Sequence, residues 1–477
     1  MNSVKLNSRR ITLLSAVHGF VSAASFMKER ALHTIFLMTV VLAGCAEEAG
    51  SDNAVVNRIE LSLQEDVIAE FGPEKSQEIN INIGFSGSLK QAVLQSPGYT
   101  AALASESEAI SGIKFASSGL SPQVSANGTF GAEIESGATS DTTTGLVAGL
   151  TASQLIYDGG KVRSLIDQAE ARAVAAKAER IQTANVIALE AARAWVDVWR
   201  SVDRLSLLDI KTAQMDELDG QINRMAANGL LDRSSLDAAR RQILDNKLKR
   251  RDLVVDLEDA QARFRRYFGL DVTTVAVPPA VLDVSNTASF SEAWRTAPLL
   301  ESLAAQLVVA RHAVAEAQGA FSPNVTLQLG AISPEDDADT TDVTAGVRLE
   351  YVFNDGGRRE ARREQAYSRV EVLQRTLSDE WAASQSRMKA ALSKVASIRN
   401  SLPMLEAKIE VTASEVSTAR SQIATGQSNL SQLVEAELEN YRAQDELIQM
   451  RTAKHMVLLD IASATGLLSR FIGLEDV

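Results

Sequence analysis

One cysteine and four histidines are all that 477 residues offer to thiol or imidazole chemistry. Cys45 follows Leu42, Ala43 and Gly44, a small-residue stretch where an export signal can be cut and a thiol acylated. His18 and His33 precede it, leaving only His312 and His455 downstream. That inventory excludes a zinc cluster, a Cys nucleophile and a disulfide framework, and leaves little room for histidine-based catalysis. With no Gly-rich phosphate loop either, an enzyme is remote, and the expected complement is no catalytic residue, no metal and no cofactor. Lys and Arg number 48 against 61 Asp and Glu, a net charge of −13. A net charge this acidic argues against non-specific binding to nucleic acid, which needs a basic face. It is 45% hydrophobic, enough to bury a core, and its 5% aromatic content with nine prolines points to a helix-rich fold.

What precedes Cys45 reads as a leader. Met27-Lys28-Glu29-Arg30 is a short charged segment, and Ala31 to Leu42 is an apolar run too short to span a bilayer as a helix. Residues 1–44 are therefore expected to be a signal peptide, for which Met27 alone would open a complete signal. Leu42-Ala43-Gly44-Cys45 resembles the lipobox of bacterial lipoproteins, which implies lipidation of Cys45 and export. Residues 45–86 lack sustained periodicity and read as a tether with little order.

Beyond the tether the chain is duplicated. Asp158-Gly159-Gly160 recurs as Asp355-Gly356-Gly357, Gly229 and Leu236 as Gly426 and Leu433, and Gly269-Leu270 as Gly466-Leu467. All three pairs are offset by 197. Upstream, Ser121-Pro122 recurs as Ser322-Pro323 and Pro97 as Pro298, at an offset of 201. The four-residue difference falls in one loop. Repeat 1 is expected over 87–270, a linker around Pro278-Pro279 over 271–288, repeat 2 over 289–470 and a tail over 471–477.

Each repeat reads as a helix (about 88–119 and 289–320), two strands, a very long helix and a shorter returning one. The strands are expected at about 122–131 and 144–157, and at about 323–331 and 343–354. In the last of these Val343, Ala345, Val347, Leu349, Tyr351 and Phe353 alternate with Thr344, Gly346, Arg348 and Glu350, giving one apolar and one polar face. The hairpin tips are acidic, with Glu133, Glu135 and Asp141 in the first and Asp336, Asp337 and Asp339 in the second. Asp-Gly-Gly suits a turn that starts a helix. The long helices are expected at about 161–226 and 358–424, with Ala169, Ala173, Ala176 and Ala191 allowing close helix approach and Pro403 kinking or splitting the second.

An alternating strand of this length matches a membrane β-strand. Four strands cannot close a barrel, and an open edge is not tolerated in lipid, so several chains must combine: two would give eight strands, three would give twelve. Lys161, Arg163, Arg358, Arg359, Arg362 and Arg363 gather where strand meets helix. There they could face lipid phosphates or make local ion pairs.

The duplicated unit, with Gln154-Leu155-Ile156-Tyr157-Asp158-Gly159-Gly160 at one junction and Ala227-Asn228-Gly229-Leu230 at the helix tip, resembles the TolC-type outer-membrane efflux and secretion channels over about 88–470. The resemblance implies a homotrimer whose twelve-stranded β-barrel continues into an α-helical barrel. It implies partners as well: a periplasmic adaptor (membrane fusion protein), an inner-membrane pump of RND or ABC type, and outer-membrane lipid. The function implied is a passive exit duct for efflux or type I secretion; the rival class is a periplasmic coiled-coil structural lipoprotein or adaptor. By the family's pattern, Gly229, Leu230, Leu231, Gly426 and Gln427 would dock the adaptor. The two pore-constricting acids of the family fall on Gln432 and Glu435, only the second of which is acidic. Glu435, Glu437 and Glu439 read equally well as solvated helix carboxylates. The tip clasp of the best-known member would fall on Ile423 and Ser428, so a clasp of that kind is absent or built differently.

Overall fold

Proline decides where the helices of each repeat begin. The computed structural model describes residues 78–135, 141–227, 233–282, 293–334, 342–424 and 430–474, all within one unit, Ser76–Val477. A single helix was expected over 88–119, but two form: α1 over Phe85–Leu94 and α2 over Pro97–Ser118. Pro97 has no N–H to continue α1, and its fixed φ suits the first position of a new helix. Pro298 does the same at the head of the equivalent helix in repeat 2.

After α2 come β1 (Gln123–Glu135) and β2 (Asp141–Tyr157), then α3 (Lys161–Ala227) and α4 (Arg233–Phe268). Repeat 2 supplies α5 (Pro298–Gly319), β3 (Asn324–Pro334), β4 (Asp342–Glu350), α6 (Arg358–Ala424), α7 (Leu430–Ala464) and the short α8 (Leu467–Phe471). At 1.5 Å per residue, the 67-residue α3 and α6 each run roughly 100 Å. No helix among the described residues is long and apolar enough to cross a membrane.

The four strands form one antiparallel sheet in chain order, so β1 and β4 are its edges. Gln123 pairs with Ser153 in the first hairpin and Asn324 with Glu350 in the second, so the two hairpins share one register once the repeat offsets are applied. Between them β2 meets β3 with Leu150 opposite Ala331 and Ala152 opposite Leu329. Val124, Leu150, Leu329, Val347 and Leu349 are exposed apolar side chains on this sheet. β4 ends at Glu350 rather than near 354, because Glu350 already pairs with Asn324 and the preceding Pro323 has no N–H to extend the ladder. Tyr351 and Phe353 lie past the strand, packed edge to face at 4.9 Å.

The main core girdles the long helices. Phe85 of α1, Trp195 of α3, and Phe264 and Phe268 of α4 pack together, the last two stacked at 4.2 Å, and Trp195 Nε1 donates to the Ala276 carbonyl at 2.8 Å. The supposed tether contributes to it: Ile79 is buried, and its N–H donates to the Phe268 carbonyl at 3.0 Å. Ile472 and Leu474 of the supposed tail are buried as well. These segments were illegible as structure because a single buried residue carries no periodicity.

α6 is continuous through Pro403, neither split nor interrupted. Pro403 is exposed, so the carbonyl that loses its helical partner can be met by water. α3 and α6 share length but not burial. α3 buries Ala184, Ala188, Ala191, Trp195, Val198 and Leu208, whereas Tyr367, Val372, Trp381, Met404 and Val411 of α6 are exposed.

Candidate functional site

The strand-to-helix turn is built twice from the same parts. Asp158 Oδ1 accepts from the Gly160 N–H at 2.9 Å and Oδ2 from the Val162 N–H at 2.7 Å. Asp355 repeats this with the Gly357 N–H at 3.1 Å and the Arg359 N–H at 3.0 Å. The carboxylate satisfies amides that the first helical turn leaves without partners. Gly159 and Gly160 have φ of 72° and 83°, Gly356 and Gly357 of 68° and 84°, a region L side chains seldom enter. The turn thus converts strand direction into helix direction within three residues.

Most of the basic side chains at these turns are committed locally. Arg163 pairs with Asp167 at 3.4 Å, Arg359 with Asp355 at 3.0 Å, Arg362 with Glu316 at 3.1 Å and Arg363 with Glu360 at 2.6 Å. Arg359 and Arg363 also lie 5.1 Å from the Phe321 ring.

Further along, polar contacts tie repeat 1 to repeat 2. Arg193 of α3 meets Asp460 of α7 at 2.7 Å, Arg204 meets Asp445 at 2.7 Å, and Lys211 meets Glu437. Arg420 of α6 takes the other Glu437 oxygen at 2.5 Å. Burial opposes the charge on Glu437, but two cations on its two oxygens outweigh it and hold the carboxyl below the usual glutamate range. Glu437 is 5% exposed, so it is not the solvated residue its neighbours suggested. The signal was present: Leu433, Glu437 and Tyr441 recur at helical spacing, and all three are buried. A second buried group, Arg180 of α3, donates to Glu106 at 2.6 Å and to the Tyr99 hydroxyl at 3.0 Å.

Gln432 and Glu435 stand exposed at the start of α7, in line with each other along the helix. Cys45, Gly229, Leu230, Leu231, Gly426 and Gln427 lie outside the described residues. Among the described residues no group of His, Cys, Asp and Glu could hold a metal.

Hairpins set on long antiparallel helices occur in two copies per chain. The same fold occurs in a membrane protein from Pseudomonas aeruginosa, at a TM-score of 0.72 and 17% identity, covering 82% of this chain and 91% of that one. It occurs in the outer membrane protein VceC from Vibrio cholerae, at 0.71 and 16%, covering 79% and 95%. The Campylobacter jejuni CmeC outer membrane channel gives 0.70 and 14%, covering 83% and 89%. No curated protein sequence matches the chain. The model of the outer membrane efflux protein family matches residues 88–270 and 290–467, and the chain belongs to that family. Fold and family together support an efflux duct located in the outer membrane.

Proposed function

We propose that this chain assembles as a homotrimer, twelve strands closing a β-barrel in the outer membrane and the long helices forming an α-barrel below it. It serves as the passive exit duct of a tripartite efflux or secretion system. Energy would come from an inner-membrane pump of RND or ABC type, joined through a periplasmic adaptor at the helix tips around Gly229, Leu230, Leu231, Gly426 and Gln427. Cys45 would carry the lipid anchor. Glu435 would line the narrow end as a ring of three carboxylates, with Gln432 leaving the neighbouring ring uncharged.

The observation that carries this reading is the relation between paired and unpaired edges. β2 is to β3 as β4 would be to β1 of a second copy, because the repeat maps β2 onto β4 and β3 onto β1. Applying the offsets to the pairing of Ala152 with Leu329 places Leu349 opposite Gly128 of the next copy. Closure then removes both exposed edges, as a bilayer requires.

Oxidation of a Leu349→Cys, Gly128→Cys double variant tests it. Covalent multimers ending at the trimer are expected, with neither single variant forming them. A membrane-extracted chain that is monomeric, or that stays soluble without detergent once the anchor is removed, would overturn the reading.

A further inference from the structure

In repeat 1 the seam between α2 and α3 is filled by polar side chains: Arg180 reaches across to Glu106 at 2.6 Å and to the Tyr99 hydroxyl at 3.0 Å. The repeat offsets map Tyr99 onto Leu300, Glu106 onto Leu307 and Arg180 onto Leu377. Three long polar residues of one seam are thus three leucines in the other. A leucine is too short to meet a partner across the seam, so the matching seam between α5 and α6 stays open.

What results is a groove of about 810 Å³, bordered by Leu300, Ala304 and Leu307 of α5 and by Leu377, Ser378 and Trp381 of α6. Small-molecule sites span roughly 300–1,000 Å³, so the groove is of the right size for one. Trp381 is 39% exposed, whereas its counterpart Ala184 is 1% exposed. An indole stands open where the other repeat keeps a methyl group under cover, and such a wall attracts a flat apolar molecule.

Polar groups narrow the class of ligand. Trp294 borders a smaller hollow of about 100 Å³ together with Leu300 and Trp381, which also border the groove. It is 7% exposed, and its Nε1–H has no acceptor among the described residues. A buried donor left unmet is costly, and an indole nitrogen can only donate, so this wall is suited to an acceptor oxygen. The groove is bordered by one base, Arg295, and one acid, Glu301, which together give no net attraction for either sign of charge. An uncharged acceptor such as a carbonyl therefore fits better than a carboxylate.

We propose that the groove between α5 and α6 binds an uncharged aromatic molecule of drug size. Its ring system lies on Leu307, Leu377 and Trp381, and its carbonyl oxygen accepts from Trp294 Nε1. Both walls belong to one chain, so the site is complete without a second copy. A ligand that bridges two helices binds the folded chain alone and raises its unfolding midpoint as its concentration rises.

Prodan, an uncharged naphthyl ketone whose absorption overlaps tryptophan emission, tests this on the full chain in detergent. Wild type is expected to show saturable energy transfer to one probe per chain, above the linear rise from probe dissolved in micelles. Ala304→Phe places a ring in the groove from an exposed position of α5, and should abolish the saturable part without lowering the unfolding midpoint. The triple variant Leu300→Tyr, Leu307→Glu, Leu377→Arg writes the filling of repeat 1 into repeat 2 and should abolish it too. Trp294→Phe should weaken binding of the ketone about three- to ten-fold, the worth of one hydrogen bond, and leave binding of 2-dimethylaminonaphthalene, which lacks the ketone, unchanged. No saturable transfer to wild type would overturn the proposal; if dissociated chains bind the probe and assembled ones do not, the groove belongs to a neighbouring copy. Saturable binding that survives Ala304→Phe would place the site elsewhere. Equal effects of Trp294→Phe on both probes would show that the indole N–H makes no bond to the ligand.

Discussion

Gly159 lies so close to Ser322 that a Cβ on the glycine would fall 2.3 Å from the serine Cβ and 2.8 Å from the Gly319 carbonyl oxygen. The first turn of repeat 1 is thereby seated against the end of α5 in repeat 2. Its counterpart Gly356 has nothing within 4 Å of the same position, although both glycines hold positive φ.

The two glycines should respond differently to alanine. Gly159→Ala meets a steric clash as well as about 1–2 kcal/mol for an L residue in the left-handed region. Gly356→Ala meets only the second term within one chain. In the proposed trimer the offsets would place Ser121 of the next copy beside Gly356, so Gly356→Ala is expected to fold but to trimerise poorly. Thermal unfolding in detergent and the trimer fraction on size exclusion measure the two effects separately.

Glu437 and Glu435 are two residues apart and should behave as opposites in stability. Glu437→Gln strands Lys211 beside a neutral amide in a buried site, and breaking a buried pair in this way costs about 3–5 kcal/mol. Glu435→Ala removes an exposed side chain and should stay within about 0.5 kcal/mol of wild type. Chemical denaturation of the detergent-solubilised protein reports both.

The same carboxylate gives a pH dependence of known sign. Because the folded pKa of Glu437 is depressed, its contribution is fully present above the unfolded value of about 4.3 and is lost as pH falls through the lower folded value. Wild type should therefore lose stability relative to Glu437→Gln only in that acidic window. Unfolding midpoints that fall in parallel for both proteins would show that Glu437 is not the titrating group.

Glu435 should reveal itself in selectivity instead. In the proposed trimer three Glu435 carboxylates at a narrow mouth would raise the local cation concentration, because low-dielectric walls focus their field. Glu435→Ala is expected to reduce cation preference in a planar bilayer under a salt gradient, with assembly unchanged. Equal reversal potentials would make it an ordinary surface residue.

Docking at the tips is tested by Gly229→Val and Gly426→Val. The sequence suits each glycine to a helix-ending turn that a β-branched residue would distort, so trimers should reach the membrane while export falls. Normal export at normal protein level would remove those positions from the docking surface.

The parts of the fold that were legible are those governed by repetition. The Asp-Gly-Gly turns, the alternation in Val343 to Leu349 and the long helix stripe with Ala169 and Ala191 each leave a local mark. What escaped depended on tertiary partners. Nothing local says that Ile79 would pair with Phe268, or that β4 must stop opposite Asn324. Glu437 was obscured by the neighbouring acids Glu435 and Glu439, although its spacing from Leu433 and Tyr441 held the answer. The split at Pro97 is legible in principle, since a proline fits the first residue of a helix better than a place inside one.

Duplication also changes what inheritance can do with such an assembly. A ring made from six copies of a half-length chain would have one kind of joint, and any substitution that loosened it would loosen all six at once. Fusing two halves into one polypeptide lets alternate joints accumulate different substitutions. Arg204 opposite Asp445, with Ser401 and Leu248 at the matching positions of the other halves, is what that freedom looks like after the halves have diverged.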